Sequence, residues 1–84
     1  MKYYVYILKS KKDSDRFYVG YTTNLENRME QHNNPKASTY TRQYAPWELE
    51  TYVVFEDKEL AQQFEIYLKS HSGMAFLRKR LILA

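Results

Sequence analysis

Residues 3–21 read YYVYILKSKKDSDRFYVGY, and this stretch decides the fold. Tyr3 to Leu8 is aromatic, β-branched or aliphatic throughout, a composition that suits a pleated, half-buried surface. Lys9 to Arg16 then runs polar and charged through Asp13, Ser14 and Asp15, which is turn chemistry. From Phe17 to Tyr21 a second strand is expected, with Phe17, Val19 and Tyr21 on one face and Tyr18 and Gly20 on the other. The pair predicts an antiparallel hairpin. Tyr4 and Tyr6 share one face of the first strand, so cross-strand pairing brings their phenols toward Tyr18 and Gly20. A glycine inside a strand weakens it and marks a bulge, or a place where another backbone or a ligand comes close.

Working outward, Thr23-Asn24-Leu25-Glu26 has the pattern of a capping box. A helix is expected from near Asn24 to about His32, ended by Asn33-Asn34-Pro35 because the residue before proline is pushed out of the helical region. Lys36 to Trp47 shows neither helical nor strand period and reads as a long surface loop. Glu48 to Phe55 alternates again, with Leu49, Thr51, Val53 and Phe55 on one side and Tyr52 and Val54 on the other. Asp57 then caps a second helix running to Lys69 or Ser70, with Leu60, Ala61, Phe64 and Leu68 at helical spacing. Ser72 is placed to cap a last helix, Gly73 to Leu83. Met74, Leu77 and Leu81 would form its apolar stripe, and Arg78, Lys79 and Arg80 would lie where cations suit the helix dipole.

Composition bounds what this chain can be. Its 84 residues, 44% of them hydrophobic, suffice for one modest core and predict a single domain over residues 1–84. No cysteine is present, which excludes disulfides and thiolate metal sites and leaves only oxygen or imidazole ligands for any metal. That suits a reducing, cytoplasmic setting. The apolar run Tyr3–Leu8 is too short for a signal-peptide core or a membrane span, so no membrane partner is expected. A formal net charge of +3 leans toward an anionic partner. Nine tyrosines exceed what so small a core needs, since phenols are more easily housed at a surface or cleft.

Three sets of residues carry candidate chemistry. In the first helix, Leu25, Arg28, Met29 and His32 fall on the stripe that normally faces the core. An arginine there either borders a cleft and meets an anion, or lays its stem along the core and reaches out to Glu30 or Asp15. His32 is by itself either a structural histidine or a proton carrier. In the second helix, Glu65 lies at the border of the apolar stripe. It pairs with Lys69 at i, i+4, or serves as the single hard ligand of a Mg²⁺ ion, which commonly takes one or two protein carboxylates. The tyrosines of the hairpin are either ordinary strand residues or phenols able to accept a proton from an attacking water.

Together, Tyr4-Val5-Tyr6, a spacer of eleven residues to Tyr18-Val19-Gly20, then Asn24 to Arg28, Gln31-His32-Asn33, Ala61 to Glu65 and Leu68-Lys69 resemble the GIY-YIG nuclease family. The likeness is to small stand-alone bacterial members and to the N-terminal nuclease domain of the excision-repair incision subunit. It implies an α+β fold of the α/β-sandwich type, a three-stranded antiparallel sheet flanked by about three helices, in agreement with the element order read above. It implies that Tyr6 and Tyr18 activate and orient a water, that Arg28 holds the scissile phosphate, that Glu65 binds the metal, Mg²⁺ or Mn²⁺, and that His32 assists proton transfer or contacts phosphate. The first motif has Tyr4 where the family name has glycine. No match is found beyond Glu65 to an asparagine that some members carry, Ser70, His71 and Ser72 standing there instead.

The expected function is metal-dependent endonucleolytic hydrolysis of phosphodiester bonds in DNA, or less favourably RNA, in repair or recombination. The alternative is a non-catalytic module on the same fold that binds nucleic acid or another protein. Lys9, Lys12, Arg42 and Lys69, with Lys11, Lys36, Arg78 and Lys79, are candidate backbone contacts. Tyr40, Tyr44 and Trp47 are either base-stacking residues or anchors of their own loop.

Overall fold

The computed structural model describes residues 1–34, 36 and 39–82. The hairpin forms as expected: β1 (Tyr3–Ser10) and β2 (Phe17–Thr22) pair antiparallel, from Tyr4 opposite Thr22 to Lys9 opposite Phe17. Its turn is closed by the Ser10 amide donating to the Arg16 carbonyl at 3.0 Å, while the buried Ser10 hydroxyl accepts from the amides of Lys12 and Asp13. The strand β3 (Trp47–Phe55) adds to the other side of β1, giving a three-stranded antiparallel sheet of order β2-β1-β3.

Two helices follow β2, α1 (Leu25–His32) and α2 (Thr39–Gln43), and two follow β3, α3 (Lys58–Leu68) and α4 (His71–Phe76), the last continuing into a π-helical turn at Leu77–Leu81. The sheet therefore has a core on each face. On one, Val5, Ile7 and Val19 bury against Ala61, Leu68 and Leu77, flanked by Tyr3, Phe17, Phe55, Phe64 and Met74. On the other, Tyr6, Leu8 and Trp47 pack with Tyr18, Leu25, Met29, Tyr44 and Leu49. Both follow from strand alternation, because neighbouring residues of β1 face opposite ways.

Several expectations are corrected. Asn24, not Thr23, caps α1: its side chain accepts from the Asn27 amide at 3.0 Å, and the Asn24 amide is held by the Thr22 hydroxyl. The loop from Lys36 to Trp47 contains α2, too short to display a period. Leu49, Thr51, Val53 and Phe55 do not share one face. The register shifts between Ile7 and Leu8, where β3 passes from Thr51 to Leu49 and leaves Glu50 as the extra residue. A bulge of this kind turns the strand over, so Leu49 joins the Tyr6 side while Phe55 packs on the Val5 side. Leu60 is exposed at the start of α3 and is no core residue. Asp57 caps α3 as predicted, accepting from the Leu60 amide at 3.0 Å.

The last helix begins at His71 under a Ser70 cap, two residues before the predicted Ser72 cap, and its predicted end at Leu83 lies outside the described residues, as do Pro35 and Ser38. Ser70 wins because a turn from Tyr67 to Ser70 reverses the chain immediately after α3. The reversal brings Gly73 onto the Tyr67 carbonyl, where a Cβ would overlap the backbone.

Candidate active site

The register of the hairpin assembles the site. Tyr6 stands directly opposite Gly20, and Leu8 opposite Tyr18, so Tyr6 and Tyr18 lie diagonally on one face with their rings 6.3 Å apart. A side chain at residue 20 would run into the Tyr6 phenol. Gly20 is thus neither a bulge nor an opening for a ligand; it is the floor on which Tyr6 lies.

The helix α1 crosses this face and brings His32 down onto both phenols. Its Nε2 is 2.8 Å from the Tyr6 hydroxyl, and its ring centroid is 4.5 Å from that of Tyr18. Tyr6 is 1% exposed. Burial raises the Tyr6 pKa well above the ordinary phenol range; the neighbouring Tyr18 and, more weakly, Glu65 push the same way, and Arg28 opposes them. Burial, aided by Arg28, lowers the His32 pKa. Both effects favour a neutral pair, the expected result when titratable groups leave water.

The charge of Arg28 thus bears on both Tyr6 and His32, and that of Glu65 on Tyr6. Arg28 is half-buried on the predicted face of α1 and makes no ion pair with Glu30 or Asp15 among the described residues. Its charge is therefore left for something else, an anion being the chemical complement. Glu65 does pair with Lys69, Nζ to Oε2 at 3.0 Å, and its side chain is only 22% exposed. It borders the site while tied to a cation of the protein's own.

For a metal, the fit is with a hard ion. Glu65 offers one partly buried carboxylate, a hard ligand of the kind a Mg²⁺ ion accepts when substrate phosphate and water complete its octahedron. Among the described residues no group of three His, Cys, Asp or Glu side chains stands ready to hold an ion.

The remaining candidates divide by location. Lys69 lines a groove of about 300 Å³ with Phe17, Tyr18, Val19, Tyr40 and Met74. Lys12 lines another of about 460 Å³ at the hairpin turn with Asp13, Ser14, Gln43 and Tyr44, next to exposed Arg42 at the end of α2. Lys9 is half-buried on β1 between Phe17 and Glu48. Trp47 is not available for stacking on a base. It is buried, its indole N–H donates to the Thr41 carbonyl at 2.8 Å, and its ring meets Tyr18 edge-on at 6.2 Å.

Trp47 is the back wall of the site, which sequence reasoning missed, and so is its fastening. Asn33 accepts from the Trp47 amide at 2.7 Å and donates to its carbonyl at 3.2 Å, locking the end of α1 to the start of β3. The signal available was Asn33 itself, whose short amide can satisfy a backbone strand edge as readily as a turn.

Residues 2–79 match the family described as the GIY-YIG catalytic domain. The chain is 47% identical over 66 residues to a UPF0213 protein of Clostridium perfringens, spanning 79% of this chain and 69% of that one. It is 41% identical over 77 residues to a UPF0213 protein of Staphylococcus haemolyticus, 92% of each. A UPF0213 protein of Bacillus halodurans, solved by solution NMR, has the same fold with a TM-score of 0.57 and 36% identity over 94% of this chain and 84% of that one. The chain therefore belongs to the GIY-YIG family of nuclease-type catalytic domains.

Proposed function

We propose that the chain hydrolyses phosphodiester bonds of DNA, with Tyr18 taking a proton from the attacking water and Arg28 clamping the scissile phosphate. The observation that carries this reading is a half-buried arginine with no ion-pair partner among the described residues, one helical turn before the His32 ring that contacts both phenols. An arginine in that position holds a phosphate through charge-assisted hydrogen bonds and stabilises the charge that develops on it.

The two phenols take different parts because their surroundings differ. Tyr6, buried and hydrogen-bonded to His32 Nε2, keeps its proton and serves to position the imidazole and the attacking water, not to take the water's proton. Tyr18 is half-exposed and lines the groove, where water and substrate reach it. Glu65 would hold a Mg²⁺ or Mn²⁺ ion, which when bound supplies positive charge to the phosphate oxygens. Lys69 must then release the carboxylate.

The Glu65–Lys69 pair also supports a second reading, a module that grips nucleic acid without cutting it, since the carboxylate is already neutralised. One experiment separates them. Supercoiled, branched and single-stranded DNA are incubated with the protein and Mg²⁺, Mn²⁺ or EDTA, alongside Arg28→Ala and Glu65→Ala. Metal-dependent cutting lost in both variants supports the nuclease. Binding with no cutting under any metal supports the module, and equal cutting by all three proteins means contamination.

A further inference from the structure

β2 is an edge strand, and the groove beside it is built from both layers of the molecule. Phe17, Tyr18 and Val19 run along its floor, Tyr40 stands on it from α2, and Lys69 and Met74 enter from the opposite layer. Arg78, in the π-helical turn, lies over the ring of Phe17, a lining residue of the groove, at 5.4 Å. Lys79 and Arg80 follow it, both exposed.

Tyr40 is the unusual member. It is 42% exposed, yet its ring is backed by Trp47 at 6.2 Å, inclined by 28°, and by Tyr44 at 5.1 Å. A flat aromatic ring held rigid from behind and open in front loses little freedom when a base stacks on it. Aromatic platforms beside a basic groove are how proteins hold unpaired nucleotides.

We infer that this groove seats single-stranded DNA running to the active site, with a base stacked on Tyr40 and a backbone phosphate at Arg78. The inference rests on the nuclease reading above and deepens it by naming the substrate form. Charge complementarity favours a polyanion, and continuity with Tyr18 makes the groove an approach to the scissile phosphate. Its volume of about 300 Å³ is at the low end for small-molecule sites and suits a single nucleotide.

The test is binding without cleavage. Fluorescence anisotropy in EDTA compares labelled oligo-dT with a blunt duplex of equal length, for wild type, Tyr40→Ala, Tyr40→Phe and Arg78→Ala. Oligo-dT is expected to bind more tightly than the duplex. Tyr40→Ala should weaken oligo-dT binding roughly 5- to 150-fold, the range of one lost base stack, with Tyr40→Phe close to wild type. Arg78→Ala should lower the slope of log K against log salt by about 0.7 for the single strand. Duplex bound as tightly as oligo-dT, equal losses in Tyr40→Phe and Tyr40→Ala, or an unchanged salt slope in Arg78→Ala would overturn it. Because no bond is cut in EDTA, a chain that binds in this way but never cleaves DNA contradicts the nuclease reading alone.

Discussion

On the face of β1 that meets α3 and α4, Val5 and Ile7 are wholly buried among the aliphatic side chains of Val19, Ala61, Leu68 and Leu77, with Tyr3 and Tyr21 only partly buried at the edge. On the opposite face Tyr6 is buried almost as completely, but its hydroxyl is bonded to His32, and the charges of Arg28 and Glu65 act on it. The same strand, alternating one residue at a time, supplies both. The comparison teaches that depth of burial does not separate core from site in so small a molecule. What separates them is whether the buried atoms are polar, since a buried phenol must be partnered and a partnered phenol can be positioned.

The largest expected effect is on the apolar face. Ile7→Ala should cost about 2–5 kcal/mol of stability, because a fully buried side chain leaves a cavity, and a domain of this size loses roughly 4–8 °C in Tm per kcal/mol. Thermal unfolding by circular dichroism measures it. Next comes Arg28→Ala, for which cleavage should fall about 10²- to 10³-fold while stability changes by less than about 1 kcal/mol. If Arg28→Ala instead unfolds the protein and leaves the rate per folded molecule intact, the division between the faces breaks.

Gly20→Ala sharpens the comparison, since its Cβ would strike the Tyr6 phenol from β2. Urea denaturation should show a loss of about 1–3 kcal/mol, and removing the hydroxyl with Tyr6→Phe in the same chain should recover part of it. Strict additivity of the two changes would mean that Tyr6 does not rest on Gly20. The smallest effect is pH-dependent. Because the His32 pKa is lowered in the folded state, the unfolded chain takes up a proton first as pH falls, so stability is full above about 6.5 and declines below it. His32→Gln should flatten Tm against pH in that window; parallel curves would show that the imidazole is not held neutral.

Much of this was legible in residues 3–21. Alternation placed Tyr6 with Tyr18 and Gly20, and the helical stripe put Arg28 and His32 on the same side. Asp57 correctly announced α3. What escaped was non-local. The bulge opposite Ile7 and Leu8 depends on how β3 docks, and no residue within Glu48–Phe55 declares it. The Ser70 cap won over Ser72 only because α3 and α4 meet at Gly73. In the site, residue types named Tyr6 and His32, but the 2.8 Å contact that distinguishes Tyr6 from Tyr18 spans 26 residues of sequence and needed the fold.

That distinction gives the most direct test of the central claim, that two phenols on one face have been given different tasks. Single-turnover cleavage of single-stranded DNA with Mg²⁺ should be compared for wild type, Tyr18→Phe and Tyr6→Phe. The expected result is a loss of about 10²- to 10⁴-fold in Tyr18→Phe, as for a missing general base, and of about tenfold in Tyr6→Phe, as for one lost hydrogen bond. The reverse order, or equal losses in the two variants, would contradict it.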